Sequence, residues 1–281
     1  MKDSDSPIAL KASLRQSAIR RELEAHGRVS IAALKDRLAV SEVTIRADLR
    51  HLEQRGVLTR VRGGAVAARH GTLELPLEQT ITSNRAEKMA IGARAASMVR
   101  DGQTVIIDVG STTTEMARAL SPDLSGVNVI TNGLNIALIL EAIPGISVIV
   151  TGGTLRRLQH SLVAPLGTLL LGQLRADVAF LGCNGVHPAR GLTNTNIAEA
   201  EIKQAMVRSA DHVVVLADHD KIGKVASAFV ADVSEANLLI TDANADEAVL
   251  ENLRSAGLSV EVVRPGPDME THEERESTSS S

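Results

Sequence analysis

Apolar positions recur at helical spacing through the first 65 residues, and then, from about position 101, in short continuous runs. The early pattern predicts three helices. The first runs from about 12 to 26, with Ile19 and Leu23 facing inward and Gly27 ending it. Ser30 caps a second, in which Ile31, Leu34 and Leu38 repeat at i, i+3 and i+7. Only Ala39 and Val40 separate it from Ser41, the cap of a third helix. That helix carries Ile45, Leu49 and Leu52 as its apolar stripe and is stopped by Gly56. At 100° per residue, Val43, Arg46, Ala47 and Arg50 project to its other side. The alternating run Val57 to Arg62 predicts a strand with Arg60 and Arg62 on one face, turned by Gly63-Gly64.

A tight helix–turn–helix with a basic face and a basic hairpin suits a DNA groove. Arginine pairs with guanine edges, small residues let the helix sit deep, and a ribbon holds phosphates. The candidate DNA-binding residues are Ser41, Val43, Thr44, Arg46, Ala47 and Arg50 on the helix, with Arg60 and Arg62 at the wing. Caps and stripes alone would also describe an ordinary three-helix bundle.

The later pattern is strand–helix alternation. Strands are predicted at 104–108, 127–131, 147–151, 177–181, 212–217, 237–241 and 259–263. Helices are predicted at 113–120, 134–143, 161–174, 197–209 and 245–256, after a connecting helix from 85 to 100. Continuous apolar strands between helices imply a mostly parallel sheet covered on both faces. The expected fold is thus an α+β winged helix–turn–helix domain followed by an α/β domain. The boundaries are a disordered start (1–10), the winged domain (11–66), a linker (67–85), the sheet domain (86–264) and an acidic, Ser-rich tail (265–281) expected to be disordered.

Charge sharpens this division. The chain has 281 residues and a formal net charge of −4, yet residues 1–70 hold 14 Lys+Arg against 8 Asp+Glu. A basic end on an acidic body points to a polyanion-binding module joined to something else. With two Phe and no Trp or Tyr, the core must be aliphatic. The single cysteine, Cys183, excludes an intramolecular disulfide and favours a reducing compartment. No segment approaches a membrane span, so a cytoplasmic protein is expected. The eight histidines lack metal-ligand spacing, and no metal site is expected.

Ligands of parallel sheets bind at the carboxyl ends of the strands. There the first strand offers Asp108, Gly110, Ser111, Thr112 and Thr113, leading into a helix whose N-terminus supplies N–H groups and positive dipole. The same run also reads as an ordinary Ser/Thr N-cap turn. Other strand ends carry Asn132, Gly152-Gly153 and Asn184, and Lys221 follows the strand at 212–217. This convergence suggests a small anionic ligand.

Residues 15–65 resemble the DeoR-type helix–turn–helix of bacterial sugar-metabolism regulators, through Ser41-Glu42-Val43-Thr44-Ile45-Arg46, Asp48-Leu49, Leu52-Glu53, Gly56 and Arg60-Val61-Arg62-Gly63-Gly64-Ala65. The family commonly has a basic residue where this chain has Ala47, and often His in place of Arg62. Residues 82–263 are similar to the DeoR-type sensor domain, itself similar in fold to ribose-5-phosphate isomerases and coenzyme A transferases. The matching positions are Asp108, Gly110 to Thr113, Thr131-Asn132, Gly152-Gly153, Gly191 to Thr193, Glu199 to Lys203 and Asp218 to Lys221.

By that kinship Ser111, Thr112 and Thr113 hold a phosphate with Lys221 nearby, while Asn132, Gly153, Asn184 and Glu199 meet sugar hydroxyls. The resemblance implies a regulator, expected to be a repressor of a sugar or polyol catabolic operon. Its partners would be double-stranded operator DNA, a phosphorylated sugar effector and further copies of itself, as a homodimer or homotetramer; no cofactor is implied. The rival readings are a sugar-phosphate isomerase and a protein-interaction module. The isomerases carry paired aspartates and a lysine after the fourth strand. This chain has Gly182 to Pro188 there, with His187 as the nearest titratable side chain, so no catalytic residue is expected.

Overall fold

The computed structural model describes residues 12–54, 57–67 and 76–266, which divide into two compact units on either side of Leu75–Pro76. The expected start (1–10), Gly56, most of the linker, and the tail beyond residue 266 lie outside the described residues.

The first unit contains α1 (Ala12–His26), β1 (Arg28–Ser30), α2 (Ile31–Leu38), α3 (Glu42–Gln54), β2 (Leu58–Val61) and β3 (Gly64–Ala67). Both serine caps form. Ser30 Oγ accepts from the Ala33 N–H, and Ser41 Oγ from that of Thr44. Ala39, in the left-handed region at φ 51°, turns the chain between α2 and α3. Ile19, Leu23, Leu34, Ile45, Leu49, Leu52 and Leu58 pack into one aliphatic core. The strands form an antiparallel sheet in the order β1-β3-β2. β1 had no signal beyond Val29, since three residues are too few to show alternation. Gly64 lies so close to it that a Cβ would sit 2.0 Å from the Val29 carbonyl oxygen. One expectation fails here: β2 stops at Val61, opposite Gly64, so Arg62 lies in the two-residue turn with Gly63 (φ 82°) instead of sharing a strand face with Arg60. The hairpin is tighter than alternation alone implied.

The second unit opens with α4 (Leu77–Thr82) and α5 (Arg85–Ala96), so the expected linker ends in a helix. There follow β4 (Thr104–Ile107), α6 (Ser111–Ala119), β5 (Val127–Thr131), α7 (Leu134–Leu140) and β6 (Ile146–Val150). Next come β7 (Thr154–Arg156), β8 (Ser161–Val163), α8 (Leu166–Leu171), β9 (Ala176–Gly182), β10 (Gly185–His187) and β11 (Gly191–Asn194). The chain closes with α9 (Ile197–Arg208), β12 (Ala210–Leu216), β13 (Ala228–Ala231), β14 (Leu238–Asp242), α10 (Glu247–Ser255) and β15 (Ser259–Val263).

Seven strands form a wholly parallel sheet in the order β15-β14-β12-β9-β4-β5-β6. Alternate residues feed two cores. Val105, Ile107, Val129, Phe180 and Val214 pack with Ile91, Met116 and Ile136 of α5, α6 and α7. Ile106, Ile130, Leu181, Val213 and Leu239 pack with Leu171, Ile202, Met206 and Leu250 of α8, α9 and α10. Burial on both sides explains why these strands read as unbroken apolar runs.

The helix expected over 161–174 is a correction. Ser161–Val163 is a strand, paired antiparallel with Thr154–Arg156, and the helix begins only at Leu166. Pro165 explains it: the residue before a proline is pushed out of the helical region, so no helix runs through Ala164. A small sheet, β10-β11-β13, also carried no sequence signal, and α6 starts at Ser111, two residues before the expected 113.

Candidate DNA-reading face and anion-binding edge

In α3 the buried stripe and the exposed face separate as the spacing demands. Ile45, Asp48 and Leu49 are buried; Val43, Arg46, Ala47 and Arg50 are exposed, and Thr44 half-buried. Asp48 is fixed from behind: Arg15 of α1 donates to it through Nε at 2.8 Å and Nη2 at 3.2 Å. This bidentate pair sets α3 against α1. The outward arginines have weaker ties. Arg46 pairs with Glu42, one turn earlier, at 2.6 Å, with both side chains more than half exposed. Arg60 is held by Glu53, which accepts from its side chain and from its backbone N–H at 2.9 Å. Those bonds keep the Glu53 carboxyl below its usual range. Arg50 and Arg62 are exposed, and neither makes an ion pair among the described residues. Exposed pairs such as Arg46–Glu42 contribute only about 0.3–0.5 kcal/mol, so a phosphate or base edge can take over the guanidinium. A cleft of about 430 Å³ lined by Lys35, Asp36, Glu42, Arg46 and Gly63 opens beside this face. Glu42 and Glu53 matched the family pattern, but no role was expected of either.

The carboxyl edge of the large sheet is built differently. Asp108, at the end of β4, is fully buried; its Oδ2 accepts from Lys203 Nζ of α9 and from the Gly182 N–H at 3.1 Å. Lys203 also donates to the Gly182 carbonyl at 2.9 Å. Burial pushes the Asp108 carboxyl upward, opposed by the Lys203 charge, and its Oδ1 is buried without a hydrogen bond. Asp218, after β12, likewise has a buried and unsatisfied Oδ1; its Oδ2 lies 3.4 Å from Lys88 of α5. Lys221 sits 4.0 Å from that Oδ1. Cys183 directly follows β9; burial raises its thiol to about 12, an effect partly offset by the Lys203 and Lys221 charges.

The Ser/Thr run begins α6, after Gly110. The Thr113 and Thr114 hydroxyls donate back to the Gly110 carbonyl, at 3.1 and 2.6 Å, and the Thr114 N–H starts the helical ladder. The amides of Ser111, Thr112 and Thr113 are left as the open first turn. Ser111 is half-exposed; Thr112 and Thr113 are buried. The Asn132 side-chain Oδ1 accepts from the Val109 N–H and shapes the approach to this turn. Gly152 and Gly153 take φ of 73° and 122°, and a Cβ on Gly153 would meet the Val163 carbonyl oxygen at 2.1 Å. Asn184 is exposed, its Oδ1 accepting from the Thr195 N–H.

Glu199 sits at the centre of a buried network absent from the sequence reading. Arg156 of β7, Ser161 of β8 at 2.6 Å and Asn194 of β11 at 3.2 Å all donate to its carboxylate. It is therefore a joint between the β7–β8 hairpin, β11 and α9. Asp242 acts as a loop cap, accepting from the backbone N–H groups of His219 and Asn244. Lys88 was also missed, because a lysine inside a helix normally marks a solvated face; here it is 3% exposed, and burial lowers its pKa against the pull of Asp218. Among the described residues no three His, Cys, Asp or Glu side chains form a metal cluster, and no helix is long and apolar enough to cross a membrane.

Comparison with known proteins decides the family. Residues 15–70 match the DeoR-like helix-turn-helix domain, and residues 83–243 match the DeoR C terminal sensor domain. The chain belongs to the DeoR family. The HTH-type transcriptional regulator GolR of Listeria innocua serovar 6a is 35% identical, over 88% of this chain and 97% of that protein. The glycerol-3-phosphate regulon repressor of Escherichia coli K12 is 28% identical, over 90% of this chain and 100% of that protein. Among solved structures, ribose 5-phosphate isomerase A of Methanocaldococcus jannaschii overlaps 50% of this chain and 55% of its own, at 20% identity and a TM-score of 0.37. As a DeoR-family member, the protein is a DNA-binding transcriptional regulator and not an enzyme.

Proposed function

We propose that this DeoR-family regulator represses a sugar or polyol catabolic operon, and that a phosphorylated sugar at the carboxyl edge of the large sheet controls its hold on operator DNA. The observation that carries the effector reading is the open first turn of α6, with its unspent amides, at the edge where Lys203 is held by Asp108 and Lys221 lies 4.0 Å from Asp218. A helix N-terminus with cations nearby favours a dianion. Asn132, Gly152-Gly153 and Asn184 furnish neighbouring strand ends for a polar remainder. Glu199 is already spent on Arg156, Ser161 and Asn194, so it is no free base for proton abstraction.

On the DNA side, Thr44, Arg46, Ala47 and Arg50 meet the major groove, with Ser41 and Val43 at the helix start and Arg60 and Arg62 on flanking phosphates. A homodimer or homotetramer follows from paired half-sites. The effector binds one state of the protein more tightly than the other, and that difference bounds the shift it can cause.

The test is binding of the full-length protein to its own upstream region at rising salt, with sugar phosphates and their unphosphorylated forms. A steep negative salt slope with release by one phosphorylated sugar supports both halves. Binding that no sugar phosphate relieves removes the effector half; salt-independent binding removes the groove reading.

A further inference from the structure

The described chain re-enters at Pro76, after the segment leading from the DNA-binding unit, and immediately forms α4. This short helix is tied down at several points of the second unit. The Leu77 N–H donates to the Leu158 carbonyl at 2.9 Å, and His160 of the same hairpin meets Glu78 at 2.6 Å. At its far end, Lys88 Nζ donates to the carbonyls of Thr80 at 2.6 Å and Ser83 at 2.5 Å. Asn84 then reaches Asp220 at 2.8 Å.

Lys88 is the centre of these ties. Its buried ammonium satisfies two carbonyls at the carboxyl end of α4, where a cation also complements the helix dipole. Its other partner is Asp218, only 1% exposed, one oxygen of which faces Lys88 while the other, unsatisfied, faces Lys221. A single carboxylate thus stands between a cation fixed to α4 and a half-exposed cation at the anion-binding edge.

We infer that Lys88 is a positioning residue that couples the Asp218–Lys221 loop to α4, and so to the segment leading to the operator-binding unit. The inference rests on the effector reading above for what engages Lys221. When an anion draws Lys221 away, Asp218 is left to Lys88 alone, and the ammonium's hold on the Thr80 and Ser83 carbonyls changes with it. Because Lys88 and Asp218 are both buried, a small displacement of either is not absorbed by solvent.

The test uses the full-length protein with Lys88→Met, Asp218→Asn and the double substitution, each checked for folding by its thermal melt. Hydrogen–deuterium exchange at 77–84 should rise at least tenfold in each single variant. Operator affinity should shift at least threefold in the same direction in both, and the double variant should be no worse than the larger single effect. A merely structural role would lower the melt while leaving the affinity of the folded protein unchanged, and that result overturns the inference. So does an additive double variant. If Lys88→Met does not fold, Asp218→Asn, nearly isosteric, carries the same two readouts. Inorganic phosphate, titrated into the wild type and read at the amides of 110–113, separates the two claims. No protection there removes the anion site, whereas the variants alone decide the role of Lys88.

Discussion

The two basic regions of this protein use charge in opposite ways. On α3 and the wing, Arg46 and Arg60 stand in solvent, borrowed by Glu42 and Glu53 on the same surface. At the sheet edge, Lys203 and Lys88 are buried, each against an aspartate with an oxygen that has no hydrogen-bond partner among the described residues. The first arrangement costs little to exchange, which suits a surface that must trade its own carboxylates for phosphates. The second is costly to disturb, which suits the proposed effector edge, where one small anion would have to change the conformation. Exposure, more than the number of charges, separates the DNA-reading face from the proposed effector edge.

The largest test of this contrast is Lys203→Met. It leaves Asp108 buried without its cation, so the second unit should lose about 3–5 kcal/mol of unfolding free energy in a denaturant titration. A loss below about 1 kcal/mol would mean that the edge behaves like the exposed face. Gly64→Ala asks whether the wing is held by backbone fit: the forced contact with Val29 should cost the first unit about 1–3 kcal/mol, seen as an earlier thermal transition. Arg46→Ala should spare stability and weaken operator binding by about 1–3 kcal/mol, with relaxed preference at one base position, measured by anisotropy on operator variants. Unchanged binding would remove α3 as the reading helix.

The smallest effect concerns Glu53. Its carboxyl is held below the ordinary range by Arg60, so its contribution is full above the unfolded value of about 4.3 and is lost as pH falls through the lower folded value. Exchange of the Arg60 amide, corrected for the intrinsic pH dependence, should therefore stay flat from neutrality to about pH 4.3 and rise a few-fold below it. Glu53→Gln should remove that dependence.

Much of this fold was legible because its large elements repeat a period. The stripes of α2 and α3, their serine caps and the parallel strands each rest on several residues that agree. What escaped was short or locally ambiguous. β7, β8 and β10 are three residues each, too few for a period of two, and residues 161–174 read as one apolar helix until Pro165 is given its due. The glycine turns and the α6 turn could be placed at one edge from chain order alone. Lys88, Arg156 and Asn194 could not, because their roles depend on partners 130, 43 and 5 positions away, respectively. A lysine four residues into a helix looks the same on paper whether it faces water or a buried aspartate.

The aliphatic core has one further consequence. Phe180 is the largest fully buried side chain, and the chain contains neither tryptophan nor tyrosine. The protein is therefore optically silent where most proteins fluoresce. A single tryptophan introduced at Val43, 77% exposed on the DNA-reading helix, would be the only such fluorophore in the chain. Another at Leu138, 70% exposed on α7, would serve as its control far along the sequence. Docking on DNA could then be timed at Val43 without subtracting a background.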